Sequence, residues 1–355
     1  LYDTVVREAI ENPDKNYLVI VPEQFTMQTQ KDLCLAHPKG GIMNIDVLSF
    51  GRLAYRVFEE VGQDARVVLD DEGKNLVLRK IAGECEKDLK VFKGNLKKQG
   101  YISEVKSVLS EFAQYGVDFE RLDDFMKEVP PESYLHYKLD DIRTIYEKFE
   151  EYLSEKYITK EEMLDVLSDA VPYSDILKGS VVAMDGFTGF TPVQNRLIGE
   201  LFSVCEKVMI TVTMDGRENP YVYEHPYQIF ALGKQMVTSL MKIAGEKKTE
   251  IEEPICLFER PVYRFRDCSE MAFLETELFR YSGAKYNGSC ESVSLHEVRS
   301  PGKEAKYVAE SIRRLVRTKG YRYRDIAVIA SDMNVYADVL ELSLIHISEP
   351  TRQEA

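Results

Sequence analysis

The chain has 355 residues, with 60 Asp and Glu against 46 Lys and Arg, a net charge of −14, and it is 44% hydrophobic and 30% charged. That is globular material for roughly two domains and a sizeable core. It excludes an integral membrane protein, since no run approaches the ~18 consecutive apolar residues of a span, and a protein coated in basic charge.

The first residues form a predicted amphipathic helix (Val5, Val6, Ala9, Ile10) with no N-cap before it, so further residues are expected upstream. Tyr17–Val21 is a buried-strand run that stops at Pro22. Ile45–Leu48 is a second, leading into a helix with Leu53, Ala54, Val57 and Phe58 on one face. From about residue 70 to 165 the pattern is helical: Leu76, Leu78, Ile81, then Val105, Val108, Leu109, Phe112, then Ile142, Ile145, Tyr146, Phe149, Leu153. No strand is expected there. Val181–Met184, Val208–Val212 and Ile326–Ala330 are later strand runs, and the region around Asn219, Pro220, His225 and Pro226 is a loop. Further helices are expected at Ile229–Ile243, Met271–Arg280 and Lys303–Lys319, with a polar connector at Glu246–Pro254.

Uninterrupted apolar strands separated by helices indicate an α/β fold with a parallel sheet covered on both faces. The expected organisation is a first part of an α/β domain at 1–69, a large helical insertion at 70–165, and the second part with its connector at 166–300. The start of a second α/β domain follows at 301–341. Leu342–Arg352 read LSLIHISEPTR, which resembles the translation of a sequencing-library transposon adapter, so 342–355 is set aside from the fold reasoning, the alternative being a genuine short strand and loop. Cys34, Cys85, Cys205, Cys256, Cys268 and Cys290 form no CxxC pair. They suit reduced thiols in a cytoplasm better than a disulfide framework or a zinc site, and all six are expected to pack as small apolar residues. No charged-then-apolar leader opens the chain, which fits the same compartment.

Three segments place polar and aromatic side chains just past strand ends, the edge where open α/β sheets bind ligands. Val21-Pro22-Glu23-Gln24-Phe25-Thr26 follows the first strand, and a plain strand-to-helix loop is its simpler explanation. Ser49-Phe50-Gly51-Arg52-Leu53-Ala54-Tyr55 follows the second. Phe50 and Tyr55 alone read as core and Arg52 as a solvated cap; together they are what a single-strand groove requires. Asp185-Gly186-Phe187-Thr188-Gly189-Phe190 follows the strand at 181–184. A P-loop ATPase holds magnesium with such an Asp and places a Glu after it. Gly186 stands there instead, so hydrolysis at this site should be poor, and Asp185 as the N-cap of a turn is equally compatible. Lys303–Arg324 carries eight basic residues against Glu304 and Glu310. Beside Tyr321 and Tyr323 that run suits a DNA backbone, with Arg313, Arg317, Arg322 and Arg324 as candidates, or is simply a solvated helix face.

VPEQFTMQ, SFGRLAYRV, DGFTGFTPVQNRLI and YRYRDIAVIASDMNVYADVLE, in this order and spacing, resemble the AddB (RexB) subunit family of bacterial AddAB ATP-dependent helicase–nucleases. The likeness extends over essentially Leu1 to Glu341, and the DGFTGFTP block is its most specific part. The resemblance implies a P-loop, superfamily 1 helicase-like fold: domain 1A, a 1B insertion and the start of 2A. It implies AddA as the active motor and partner in a heterodimer. It also implies single- and double-stranded DNA as ligand, and scanning of the exported strand for the recombination hotspot Chi. By that likeness the Chi-reading residues are Gln24, Thr26, Phe50, Arg52, Tyr55 (where some relatives carry Trp) and Phe187. ATP and Mg2+ are expected at most in the full-length subunit. A 4Fe-4S cluster is expected only in a C-terminal nuclease domain, because none of the six cysteines here has ligand spacing. The competing readings are a working superfamily 1 ATPase, disfavoured by Gly186 after Asp185, and a scaffold that merely supports its partner.

Overall fold

Alternate residues of a strand point to opposite sides, so an apolar run with no polar alternation must be covered twice. The computed structural model describes residues 1–62, 67–95, 98–153, 156–260 and 262–348. It divides into two units, Leu1–Phe258 and Glu259–Ala355. The first begins with α1 (Tyr2–Glu11), β1 (Tyr17–Ile20), α2 (Thr26–Ala36), β2 (Ile45–Leu48) and α3 (Phe50–Val61). Next come β3 (Val67–Leu69), α4 (Asp71–Glu84), α5 (Gln99–Tyr115), α6 (Phe119–Glu128), α7 (Tyr134–Leu153) and β4 (Tyr157–Thr159). It ends with α8 (Glu162–Ala170), β5 (Val181–Met184), α9 (Pro192–Val204), β6 (Lys207–Ile210) and α10 (Ala231–Lys247).

Four strands pair in the order β2-β1-β5-β6. All are parallel, with Tyr17 opposite both Ile45 and Val181, and Val181 opposite Lys207. Tyr17, Val19 and Val21 pack with Val5, Val6 and Ala9 of α1 and Leu33 of α2. Leu18 and Ile20, pointing the other way, pack with Leu53, Ala54 and Val57 of α3, Leu167 of α8 and Leu197 of α9. The α/β architecture expected from the apolar runs is present.

The expectation of no strand within 70–165 is corrected, because Tyr157–Thr159 is a strand. It pairs with β3 in a separate two-stranded parallel sheet, Val67 opposite Tyr157 and Leu69 opposite Thr159. Three residues are too few to show a period, and the partner lies on the far side of the insertion in sequence. Between the two strands, α4–α7 bury a core of their own around Leu78, Ile81, Ile102, Leu122, Ile145 and Phe149. Asp141 of α7 is 1% exposed, and its carboxylate accepts the backbone N–H groups of Lys90, Val91 and Phe92 at 2.8, 2.7 and 2.8 Å.

The foot of the insertion is polar although buried. Lys74 of α4, 2% exposed, donates to Glu161 Oε2 at 2.7 Å and Ser110 Oγ at 3.3 Å. These groups, Tyr146 and Glu150 line a cavity of about 10 Å3. Burial, followed by the charge and hydrogen bond of Glu162, pushes the Glu150 carboxyl from its ordinary 4.5 up to about 7. A carboxyl raised in the folded state binds its proton more tightly there than in the unfolded chain. Its stabilisation is therefore complete below about pH 4.5 and is lost as pH rises through 7. The insertion is expected to lose on the order of 1 kcal/mol between pH 5 and pH 8, a figure discounted for the water that reaches Glu150. Urea unfolding across that range checks it, and Glu150→Gln should flatten the dependence; an unchanged slope in that variant would disprove the assignment.

The second unit holds α11 (Ser269–Glu277), α12 (Pro301–Lys319) and α13 (Met333–Ser348). The buried stripe of α12 is Ala305, Ala309 and Ile312, and α13 buries Leu340. Ile326–Ala330, expected as a strand, joins no ladder, and Ile329 is 93% exposed. No neighbouring strand lies beside it among the described residues of this unit, and a lone strand leaves its backbone groups to water. Of the tail 342–355, residues 349–355 lie outside the described residues. The cysteines do not all pack as expected: Cys85 is buried, Cys34, Cys205 and Cys268 are half-buried, and Cys256 and Cys290 are exposed.

Candidate nucleic-acid interface

Because every strand of the larger sheet points the same way, the segments after β1, β2, β5 and β6 gather at one edge. The chain order reverses between β1 and β5, and the crevice at such a reversal is where open parallel sheets take ligands. The ladder runs on into these segments, with Val21 N–H donating to Leu48 O at 3.0 Å and Asp185 N–H to Ile20 O at 3.1 Å.

After β1, Pro22 ends the strand and Glu23–Phe25 make one 3₁₀ turn into α2. Gln24 is exposed, and Phe25 keeps 48% of its surface in solvent. Thr26 is 5% exposed, with its hydroxyl donating to Glu23 O at 3.0 Å. After β2, Ser49 caps α3 by accepting from Arg52 N at 3.4 Å. That cap sets the rotation of the helix. Phe50, Leu53, Ala54 and Val57 turn inward, while Arg52 and Tyr55, three residues apart, share the outer face. The Arg52 guanidinium has no ion-pair partner among the described residues, whereas neighbouring Arg56 is held by Asp46 at 2.7 Å.

After β5, Gly186 takes φ +79°, and a Cβ there would sit 3.6 Å from Pro22 Cδ and 3.8 Å from Phe25 Cδ2. The left-handed φ is what suits glycine here, since a Cβ would meet only ordinary contacts. Half-buried Phe187 lies 5.4 Å from Phe50 and 5.2 Å from Phe190, ring centre to ring centre, and Phe50 is 6.3 Å from Phe190. Thr191 and Gln194 close a capping box that starts α9 just beyond them. The structure thus brings Phe50 and Phe187 into contact and puts Gln24, Arg52 and Tyr55 in solvent at the same edge. Thr26 and Phe50 sit beneath that surface.

Asp185 is where a helicase-like fold would hold magnesium, yet both its oxygens are taken. Tyr2 OH donates to Oδ2 at 2.7 Å and Thr211 Oγ1 to Oδ1 at 2.5 Å. Burial, with the Asp185 charge adding to it, pushes the Tyr2 phenol up to about 12, so it stays a donor. Among the described residues no group of three or more His, Cys, Asp or Glu is placed to hold a metal ion. The two hydroxyls tie α1 to the end of β6 through one carboxylate. Sequence reasoning missed Tyr2, Thr211 and Phe25. The register carries the signal for Thr211, since Met184 pairs with Ile210 and the next residues in line are Asp185 and Thr211.

In the second unit Arg313, Arg317 and Arg324 are exposed and have no ion-pair partner among the described residues. Arg322 is clamped by Asp325 through two hydrogen bonds of 2.8 Å. Three of the four candidate backbone cations therefore present their charge to solvent.

A family model described as "ADDB, N-terminal" matches residues 1–275. The chain belongs to the AddB N-terminal family. It is 40% identical over 348 residues to the B-type subunit of the ATP-dependent helicase/deoxyribonuclease of Lachnoclostridium phytofermentans, covering 97% of this chain and 30% of that protein. To the protein of the same name from Thermoanaerobacter sp. it is 34% identical over 346 residues, with 97% and 30% covered. To that of Clostridium tetani it is 31% identical over 342 residues, with 96% and 30% covered. The chain thus spans about 30% of the length of the curated relatives it matches. The AddB resemblance read from the four motifs is met.

Proposed function

We propose that this chain is the DNA-reading, helicase-like N-terminal part of a helicase–nuclease subunit that processes double-strand breaks for recombinational repair. The observation that carries the reading is the gathering of Gln24, Arg52, Tyr55 and half-buried Phe187 at the carboxyl edge of the sheet, with Arg52 having no carboxylate partner among the described residues. An amide suits adenine edges and a guanidinium suits guanine, while aromatic faces hold unstacked bases. In this reading the single strand is scanned for Chi here, and Phe50 and Thr26 act from beneath by backing Phe187 and fixing the Gln24 turn. Arg313, Arg317 and Arg324 add sequence-independent backbone attraction.

ATP-driven unwinding belongs to the AddA partner, because no Glu follows Asp185 and its carboxylate is engaged by two hydroxyls. The P-loop superfamily 1 relationship, ATP and Mg2+ in the completed subunit, and a 4Fe-4S cluster in a nuclease domain belong to the same proposal. So does a cytoplasmic setting; among the described residues no helix is long and apolar enough to cross a membrane.

Arg52→Ala in the assembled complex is expected to weaken the response to the hotspot about tenfold or more, the loss of one good base contact, while unwinding stays within about twofold. Hotspot-dependent attenuation of cleavage beside a helicase assay on the same preparation measures both. Loss of unwinding with a normal hotspot response would point to a motor instead. Full function with Gln24, Arg52 and Phe187 all replaced would leave only the scaffold.

A further inference from the structure

The residues that the family likeness assigns to base stacking do not all have a free face. Phe50 is 7% exposed and lies against Phe187 and Phe190. A base reaches its ring only by displacing one of them, at the cost of opening the core around Leu48 and Leu53. On the β1 side of the reversal, however, an aromatic outside that set stands open. Phe25 is 48% exposed at the end of the 3₁₀ turn, directly after Gln24.

We infer that Phe25 is a base-stacking and specificity-determining residue of this edge, supplying the open aromatic face that buried Phe50 lacks. Three observations carry it. The ring is backed, since its Cδ2 lies 3.8 Å from where a Gly186 Cβ would be. The Cδ2 edge of the ring thus lies beside the Gly186 turn while about half of the side chain stays in solvent, so stacking on the open part costs little ordering. The turn that holds it is fixed, with Phe25 N–H donating to Pro22 O at 2.9 Å and the Thr26 hydroxyl donating to Glu23 O at 3.0 Å. Its strand lies between the two others that feed the site, β2 with Arg52 beyond it and β5 with Phe187 beyond it. Leu48 and Met184 are both in register with Ile20, so the three segments leave the sheet side by side. A ring that follows an amide in sequence, on a strand neighbouring the one that leads to a guanidinium, is matched to a nucleobase, which offers a π-face and hydrogen-bonding edges together. A protein partner would instead want a continuous apolar patch, and Glu23, Gln24 and Arg52 interrupt one here.

The inference rests on the DNA-reading function proposed above, and its test separates the two. Single-stranded DNA carrying 2-aminopurine at successive positions of the hotspot is bound to the full complex, and the fluorescence of each position is read. One position should be quenched by stacking. Phe25→Ala and Phe25→Leu are expected to relieve that quench and to weaken the hotspot response about tenfold, while Phe25→Tyr keeps both near the starting level. Because the side chain is half in solvent, its loss leaves no core cavity, and the leucine variant preserves apolar bulk without a π-face. If Phe25→Leu behaves like the unaltered protein, the residue is only loop packing and the inference fails, while a defect in Arg52→Ala still upholds the reading function. If Arg52→Ala and Phe25→Ala are both indistinguishable from the unaltered complex, the reading function and the inference fail together.

Discussion

Asp141→Ala is expected to cost the helical insertion about 3 kcal/mol. Asp141 is 1% exposed, and its two oxygens take three successive amide protons, those of Lys90, Val91 and Phe92. Those amides belong to a stretch between α4 and α5 that has no helix or strand to satisfy them. Hydrogen bonds to a charged acceptor contribute about 1.5–3 kcal/mol each, but the loss is smaller than their sum because the freed stretch relaxes toward water. The neighbouring Lys90–Asp140 pair is exposed and cannot compensate. Phe92, 5% exposed in the insertion core, carries the loss from the turn into the packing. Chemical denaturation gives the size, and hydrogen exchange at residues 90–92 gives the place. A change below about 0.5 kcal/mol would mean that the carboxylate does not organise this turn.

Glu161→Ala should cost a similar amount, about 3 kcal/mol, by a different route. It strands the Lys74 ammonium, 2% exposed, with only Ser110 Oγ at 3.3 Å and Asp71 Oδ1 at 3.8 Å for company. A buried pair is costly to break and cheap to replace whole, so Lys74→Met combined with Glu161→Leu should recover most of the loss. If the double variant is no better than the single one, the pair is not what makes the site expensive to disturb. The sheet is expected to be spared in both variants, because its core lies in clusters separate from that of the insertion.

The strands of the larger sheet were legible from apolar runs bounded by turn residues, unbroken in YLVIV before Pro22 and VVAM before Asp185-Gly186, whereas β2 carries Asp46 and β6 starts at Lys207 and ends at Ile210 instead of running over the expected Val208–Val212. Val67–Leu69 and Tyr157–Thr159 were not, being three residues each with meaning only as a pair. IAVIA at 326–330 misled for the converse reason: composition can make a strand eligible, but only a neighbour makes it one. At the candidate site, Tyr55 taken alone reads as core, and its place beside Arg52 on the outer face of α3 emerges only once the helix and its cap are in place. The fate of Phe50 depended on the rotation that the Ser49 cap imposes, and that of Phe25 and Thr26 on one 3₁₀ turn that exposes the first and buries the second. Three-dimensional pairing, which no local pattern encodes, also decided the engagement of Asp185 by Tyr2 and Thr211, residues on either side of it and far apart in sequence.

The pairing of β3 with β4 bears on the order in which the chain folds. To set Tyr17 beside Val181 the chain must close a loop of about 160 residues (181 − 17), which is slow because the entropy is lost before any contact is gained. The insertion closes shorter loops, the longest between its helices being the one that brings α7 back onto α4. Once it has formed, and Val67 and Tyr157 lie side by side, the remaining flexible length is roughly halved, worth about 0.6 kcal/mol in closure entropy. The insertion is thus expected to act as a splint, folding ahead of the sheet and shortening the journey by which its two halves find each other.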